Sequence, residues 1–392
     1  MSVPSPRLFL VVVITALFIP SLRAQAEIDD PVIQRSIEVL LEMQEGDNNA
    51  EWPYEGVYRV GGKIPIGYRV GGTSIAATAL LLTPGYAKDA KRQEAVGKAL
   101  AFVLTSLEDP RMQKGFNKRN YDVRGWGHAY ALLFLLRLEE AHQVPKSKAT
   151  QVKAAQKWLV KTLQAMSIPE SGGWNYSLPR GPQSPRNAAS PFMTGPTLQA
   201  LFLAKSMGLS VNASIVKRSL DALERGRTAS GGYAYGSPPT KSLAKSQEDK
   251  LRFMHKKPGS VGRMCVAEAT LALAGRGDQK RLKDAVDSFF KFRKELVVRK
   301  QKNGTHIPPY GVAPYYFVYA HHYAAQAIEL VTDETFRKAA REKLRKILLS
   351  EREKDGGWND RVFARSRNYG TAFGMMALQM ARLPAIPSWQ QL

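Results

Sequence analysis

Hydrophobic residues recur along the chain in two alternating kinds of helical segment. In the first kind, apolar residues return every three or four positions with charged residues between them, as at Ile33, Ile37, Leu40 and Leu41. This spacing predicts an amphipathic helix with one buried face. Segments of the second kind, such as residues 129–136, carry almost no charge over their middle. They predict helices that are covered on nearly all sides.

The two kinds of segment form six consecutive pairs, and turns rich in glycine and aromatic residues separate the members of each pair. The amphipathic members are PVIQRSIEVLLEM, RQEAVGKALAFVLTSL, TQVKAAQKWLVKTLQAM, NASIVKRSLDALERG, RLKDAVDSFFKFRKEL and ETFRKAAREKLRKILL. One pair cannot bury its own apolar face, so stacked pairs either continue as an open solenoid or close on themselves. Because the first and last units are as apolar as the middle ones, we predict an all-α, (α/α)6 toroid with apolar inner helices and amphipathic outer helices.

The turns and the segments that follow them carry a family resemblance. The phrases GGWNY, GGYAYG and DGGWND, with TGPTLQALFLA or YGTAFGMMAL, resemble the repeats of terpenoid cyclases and protein prenyltransferases. The resemblance covers essentially all of residues 27–392. It implies a squalene cyclase-like toroid whose inner helices surround a funnel for long apolar isoprenoid chains. We interpret the recurring turn aromatics, among them Trp52, Trp174, Tyr233 and Trp358, as wedges between helices.

The catalytic motifs of the resembled families do not accompany the repeats. The sequence contains neither the Asp-x-Asp-Asp cluster of squalene-type cyclases nor the Asp-Asp-x-x-Asp motif of the magnesium-dependent enzymes. At the position of the prenyltransferase zinc ligands it has Val261 and Arg263, and only His321 falls near a ligand position. One ligand of three is not a zinc site. We therefore predict no metal and no cofactor, read Cys265 as a core residue, and leave open whether the protein is an enzyme.

Four polar residues near the predicted starts of inner helices are the candidate ligand-binding residues. His128, Arg263 and His321 occupy equivalent places in the repeat, and His322 follows the last of them. In a closed ring these side chains would converge on one mouth of the central cavity. Imidazoles and a guanidinium there suit an anionic head group or acid–base chemistry. The alternative is that each side chain hydrogen-bonds its own loop, and the sequence does not decide between the two.

Residues 1–26 have the pattern of a secretory signal peptide. Arg7 precedes the apolar run LFLVVVITALFI, which is shorter than the ~20 residues that a membrane-spanning helix needs, and small residues follow at Ala24 and Ala26. We predict export to the periplasm or the extracellular space. Residues 27–392 are then expected to form a single toroid domain without a transmembrane segment. Retention of the apolar run as an anchor is the alternative.

The chain is basic, with 57 Lys and Arg residues, 34 Asp and Glu residues and a formal net charge of +23. Such a charge favours anionic surfaces or polymers as partners. The basic residues are spread over the amphipathic segments instead of forming one block, which is typical of a solvated surface. Because no recognition motif is present, nucleic acid is not an expected partner. The oligomeric state is not indicated.

Three functions from different classes fit these observations. The first is an exported protein that binds an apolar, isoprenoid or lipid-like molecule in its central cavity. The second is a carbohydrate-active hydrolase or lyase, which needs two carboxylates roughly 5 to 9.5 Å apart; Glu268, Glu329 and Asp360 are the candidates. The third is a basic scaffold on an acidic envelope polymer or partner protein. We rank them in this order.

Overall fold

The computed structural model describes residues 30–113, 123–178, 180–181, 183–237, 253–302, 306 and 308–389. Over these ranges it contains twelve α-helices of ten residues or more and no β-strand, only isolated bridges. None of these helices is long and apolar enough to cross a bilayer. The predicted signal peptide, residues 1–26, lies outside the described residues.

Outer and inner helices alternate along the chain. The outer helices are α1 (Pro31–Glu42), α3 (Ala90–Leu107), α5 (Ala149–Ala165), α7 (Ala213–Arg225), α9 (Gln279–Lys300) and α11 (Glu334–Ser350). The inner helices are α2 (Ile66–Leu82), α4 (Arg124–Glu140), α6 (Pro191–Ser206), α8 (Met264–Leu273), α10 (Phe317–Leu330) and α12 (Ser366–Gln379). A single helical turn, Lys257–Ser260, precedes α8.

The inner helices pack side by side in chain order, and α12 packs against α2, so the ring is closed. Nearly every residue of α6 is buried, whereas α11 buries only the stripe formed by Ala340, Leu344 and Leu348. This difference follows from the two hydrophobic patterns in the sequence. The predicted all-α toroid, with apolar inner and amphipathic outer helices, is confirmed.

Most outer helices begin at an acidic or amide residue. Side chains of the five N-cap residues accept hydrogen bonds from backbone N–H groups of the first turn; these residues are Asp30, Asp89, Asn212, Asp278 and Asp333. Such a cap satisfies donors that the helix itself cannot, and an aspartate also interacts favourably with the helix dipole. The starts of these helices are therefore encoded locally.

Three turn tryptophans make the same contacts. The indole N–H groups of Trp52, Trp174 and Trp358 donate to a carbonyl in the last turn of the preceding outer helix, at 2.6, 2.8 and 2.7 Å. Their backbone N–H groups donate to side-chain hydroxyls in the following inner helix, namely those of Thr73, Thr194 and Thr371. All three rings, and that of Tyr233, are buried. Each tryptophan therefore fastens an outer helix to an inner one, and the predicted wedges are confirmed.

Cys265 lies in the core, as predicted. Its thiol is buried on α8 and lies 3.5 Å from the backbone carbonyl oxygen of Ala285 on α9. Burial in apolar surroundings disfavours the thiolate and raises the pKa of this group. Cys265 therefore packs as a small apolar residue between the inner and outer layers.

Candidate functional site

The half of the lumen at the amino-terminal ends of the inner helices is filled by aromatic rings. They are contributed by the starts of the inner helices and by the turns before them: Tyr54, Tyr68, Trp126, Tyr176, Phe192, Tyr315, Tyr316, Tyr319 and Tyr369. Neighbouring ring centroids lie as close as 4.6 Å for Tyr54 and Tyr369 and 4.7 Å for Phe192 and Tyr319. The space left between them is about 20 Å³, which has room for roughly one water molecule. We call these nine rings the aromatic plug.

The carboxyl-terminal half of the lumen contains a cavity of about 390 Å³, here called the lumen cavity. Its floor consists of Tyr130, Tyr323 and Phe373, whose rings pack against the aromatic plug at centroid distances of 5.3, 4.5 and 4.8 Å. Its walls are mostly aliphatic and come from the inner helices and the residues just after them: Ile75, Leu82, Leu133, Leu273, Leu330, Met376 and Met380. This volume lies within the ~300–1,000 Å³ range of small-molecule sites.

A small set of neutral polar groups lines the deep part of the lumen cavity. The hydroxyls of Tyr130 and Tyr323 are 3.3 Å apart. The side-chain amides of Gln199 and Gln326 exchange two hydrogen bonds of 2.9 and 2.8 Å, and Gln199 also donates to the hydroxyl of Thr270. These groups supply donors and acceptors without a net charge.

His322 belongs to the same wall. Its ring packs against Phe373 with a centroid distance of 4.5 Å, and its buried Nδ1 has no hydrogen-bond partner among the described residues. Burial lowers the pKa of this imidazole to about 3, and the backbone carbonyl of Phe373 opposes that effect only in part. His322 is therefore neutral near pH 7.

The charged residues that line the lumen cavity are both compensated. The Arg137 guanidinium pairs with Glu140 and also donates to the carbonyl oxygens of Pro384, at 2.9 Å, and Ala385, at 3.3 Å. Glu329 accepts hydrogen bonds from Arg341 on the neighbouring outer helix α11. Neither residue presents an uncompensated charge to the interior.

The last described residues, 383–389, cross the carboxyl-terminal mouth of the lumen, and we call them the strap. Leu383, Pro384, Ala385 and Ile386 line the cavity. The Ser388 hydroxyl donates to the carbonyl of Leu273 at 2.9 Å. The Trp389 ring packs on Phe202 with a centroid distance of 5.4 Å. The strap is thus attached to α4, α6 and α8 and covers part of the mouth.

The structure does not bring the four sequence-predicted site residues together. His128 is buried against the outer helix α5, with Nε2 2.9 Å from the Met112 carbonyl oxygen and its ring beside Trp158. His321 faces Phe289 of the outer helix α9, and its Nδ1 lies 2.7 Å from the carbonyl oxygen of Phe317 in its own helix. Both imidazoles therefore belong to the interface between the layers.

Arg263 has a similar place at the start of α8. Its fully buried guanidinium donates to the carbonyls of Tyr233, Ala234, Gly259 and Met254, and so holds together the chain segments before this helix. Of the four predicted residues, only His322 lines the lumen cavity, because consecutive helical residues point about 100° apart. The expected convergence on one mouth is absent, whereas ligand binding by these residues stays a prediction.

Sequence reasoning missed Gln199, Gln326 and Arg137, which do line the cavity. Their signal was present, because each is a polar residue within an otherwise apolar inner segment. The equivalent position of the repeat that holds His128 and His321, by contrast, faces the outer layer. Thr73 and Thr371 share that position with His128 and His321 and bond the tryptophan turns.

The three candidate carboxylates lie in different places. Glu268 pairs with Arg227 at 2.9 Å and Arg281 at 3.0 Å and accepts a hydrogen bond from the Tyr233 hydroxyl. Asp360 is fully buried beside the aromatic plug, where it accepts from the Val318 N–H at 3.0 Å and the Tyr54 hydroxyl at 3.3 Å. Burial raises the pKa of Asp360 to about 7.

Of these carboxylates, only Glu329 lines the lumen cavity. In the part of the chain that the structure describes, no cluster of three or more His, Cys, Asp or Glu side chains is placed to hold a metal ion.

Comparisons with known proteins agree on the fold. No protein-family model and no curated protein matches the sequence. Solved structures of the type II terpene cyclase MstE from Scytonema match at 15% identity over 90% of this chain and 96% of that one. The TM-scores are 0.51 for a variant bound to the product merosterolic acid A and 0.50 for a variant bound to the substrate geranylgeranyl dihydroxybenzoate.

An alpha-amylase from Clostridium perfringens matches at 12% identity over 89% of this chain and 97% of that one, with a TM-score of 0.50. At such identities the likeness shows the fold alone. The protein is therefore an α/α toroid, in a fold that terpene-processing and carbohydrate-active enzymes share.

Proposed function

We propose that this protein is exported and binds an apolar or amphiphilic small molecule, of isoprenoid or lipid-like character, in the lumen cavity. The observation that carries the proposal is the cavity itself, with about 390 Å³ enclosed by mostly aliphatic walls and a few polar groups at its floor. Apolar surface buried there is stabilised by roughly 25 cal/mol per Å². The sequence resemblance to terpenoid cyclases supports the isoprenoid class, and the pattern of residues 1–26 supports export.

A ligand-exclusion experiment tests this proposal. Met376→Trp places a large ring in the cavity wall, whereas Met207→Trp makes the same change at a half-buried residue outside the cavity. The mature chain is titrated with farnesol by calorimetry, and circular dichroism verifies the fold of each variant. We expect Met376→Trp to weaken binding at least about tenfold, or by ~1.4 kcal/mol, and Met207→Trp to leave it unchanged. Equal binding by both variants would rule out the lumen cavity.

A carbohydrate-active hydrolase or lyase is the second candidate because the C. perfringens alpha-amylase shares the fold. It has less support, since Glu268 and Asp360 are engaged outside the cavity and only Glu329 lines it. Release of reducing ends or unsaturated sugars from a polysaccharide panel, abolished by Glu329→Gln, would favour this candidate instead. The scaffold alternative predicts binding to anionic polymers that is lost at high ionic strength.

A further inference from the structure

Building on the proposed function, we propose that the lumen cavity selects an amphiphile whose head group is uncharged and forms hydrogen bonds. This head group lies at the cavity floor against His322, Gln326 and the Tyr130–Tyr323 pair, and the apolar body extends towards the strap. The inference therefore concerns the class and the orientation of the ligand.

The first argument is the charge of the cavity wall. Arg137 is the one lysine or arginine among the described residues that line it, and its guanidinium already serves Glu140 and two strap carbonyls. Glu329 is likewise paired with Arg341. A phosphate or carboxylate in this interior would lose its hydration without gaining an uncompensated cation. Burial of an unpaired charge costs far more than burial of a hydroxyl.

The second argument is the unsatisfied hydrogen-bonding capacity at the floor. Nδ1 of His322 is buried without a partner in the described part of the chain, and an unsatisfied buried polar atom is destabilising. A ligand hydroxyl can serve either tautomer of the neutral imidazole, because it donates and accepts. After its exchange with Gln199, the Gln326 amide keeps one N–H and one oxygen lone pair. The tyrosine pair has one hydroxyl proton beyond the one shared between its oxygens.

The third argument is the separation of polar and apolar residues along the lumen. The neutral polar groups lie deep in the cavity, at or near the floor. Towards the mouth the lining is mostly aliphatic, with Leu82, Leu330, Met380, Leu383 and Ile386, and the two charged residues there, Arg137 and Glu329, are both paired. An amphiphile matches this arrangement only with its head against the floor and its apolar end beneath the strap. This orientation and the neutral head differ from the anionic head at a basic mouth that the sequence predicted.

Three C15 ligands that differ only at one end test the inference: farnesol, farnesyl phosphate and the hydrocarbon farnesene. Each is titrated into the unaltered mature chain at pH 7.5, and binding is followed by calorimetry and by protein fluorescence. We expect farnesol to bind at least about tenfold more tightly than the other two, because farnesene cannot form the hydrogen bonds at the floor and farnesyl phosphate would bury an unpaired charge.

Adjacent histidines provide a matched pair of variants. His322→Phe should weaken farnesol binding about tenfold and leave farnesene binding unchanged, because only the head-group contact is lost. His321→Phe, whose ring faces Phe289 in the outer layer, should leave the preference for farnesol intact. Circular dichroism verifies folding of both.

The outcomes separate this inference from the proposed function. Farnesyl phosphate binding as tightly as farnesol would overturn the uncharged head group, and farnesene doing so would overturn the hydrogen bonds at the floor, yet either leaves a ligand-binding cavity. If none of the three probes binds, the proposed function itself fails. These comparisons use the unaltered chain, so they stand even if His322→Phe does not fold.

Discussion

The two halves of the lumen are built on the same six helices, yet one is packed solid and the other is hollow. At the amino-terminal end, nine aromatic rings leave about 20 Å³. At the carboxyl-terminal end, aliphatic side chains, two glutamines and a histidine surround about 390 Å³. The architecture therefore does not determine whether the centre of the ring is open.

The difference lies in the residues that the helices present at each level. Rings such as Trp126, Phe192 and Tyr319 are rigid and bury ~150–250 Å² each. Together with the rings from the turns, they fill the lumen at this end. Ile75, Leu133 and Met376 are smaller side chains, and they line the open cavity. Of the two halves of the lumen, only the carboxyl-terminal one has space for the proposed ligand, and the packed half contributes to stability.

The largest expected difference between the two ends concerns tryptophan. Trp358→Ala, in a turn beside the plug, removes a fully buried ring together with its hydrogen bond to Leu348, and we expect a loss of ~3–5 kcal/mol in the free energy of unfolding. Urea denaturation measures this loss. Trp389→Ala, the matched change in the strap, should cost about 1 kcal/mol or less because that ring is only partly buried. Similar losses in the free energy of unfolding for both variants would contradict the expected difference between the plug and the strap.

The pH dependence at the plug end depends on Asp360. Its pKa is raised from 3.8 to about 7, so the folded state holds this proton at pH values where the unfolded state has released it. The contribution of Asp360 to stability is then greatest below about pH 4. It falls as the pH rises from about 4 to about 7, and it is constant above about pH 7. Asp360→Asn should abolish this decline, which amounts to a few kcal/mol at ~1.4 kcal/mol per pKa unit. Urea titrations at pH 4.5, 6 and 7.5 compare the two chains.

His322 at the cavity end should show the opposite sign. Its pKa is lowered from 6.5 to about 3, so the unfolded state takes up a proton that the folded state excludes. Stability from this group is complete above pH 6.5 and is lost as pH falls towards 3. His322→Gln should therefore be less acid-sensitive than the parent chain in the same urea titrations. If His322→Gln lost as much stability at low pH as the parent chain, the imidazole would not be held neutral in the folded protein.

The smallest effect on stability, but a visible one on kinetics, is expected at the strap. Trp389→Ala removes the contact with Phe202 and should release bound farnesol a few times faster in stopped-flow displacement, because the mouth opens more often. Val362→Ala, an exposed change at the plug end, is the control and should leave the rate unaltered. Equal release rates in both variants would mean that ligand does not leave beneath the strap.

The fold could be predicted from the sequence because its signals are local. Apolar spacing, the aspartate and asparagine caps and the recurring tryptophans each act within one helical pair. The candidate site was harder to predict from the sequence, because it depends on which side of each inner helix faces the lumen. His321 and His322 are adjacent, yet one faces Phe289 in the outer layer and the other faces the cavity. The strap has no periodic pattern, so nothing in residues 383–389 indicated where it would lie.

Closure of the ring joins distant parts of the chain. The side chain of Asn368 donates to the carbonyl of Pro53 across 315 positions, and α12 packs on both α1 and α2. The apolar surface of the first helical pair is therefore buried only after the last pair has packed against it. Contacts between such distant parts of the chain form slowly. During synthesis the incomplete ring exposes apolar surface at both ends, which makes it prone to aggregation. We therefore expect a nascent chain of this fold to depend on chaperones until α12 has been synthesised.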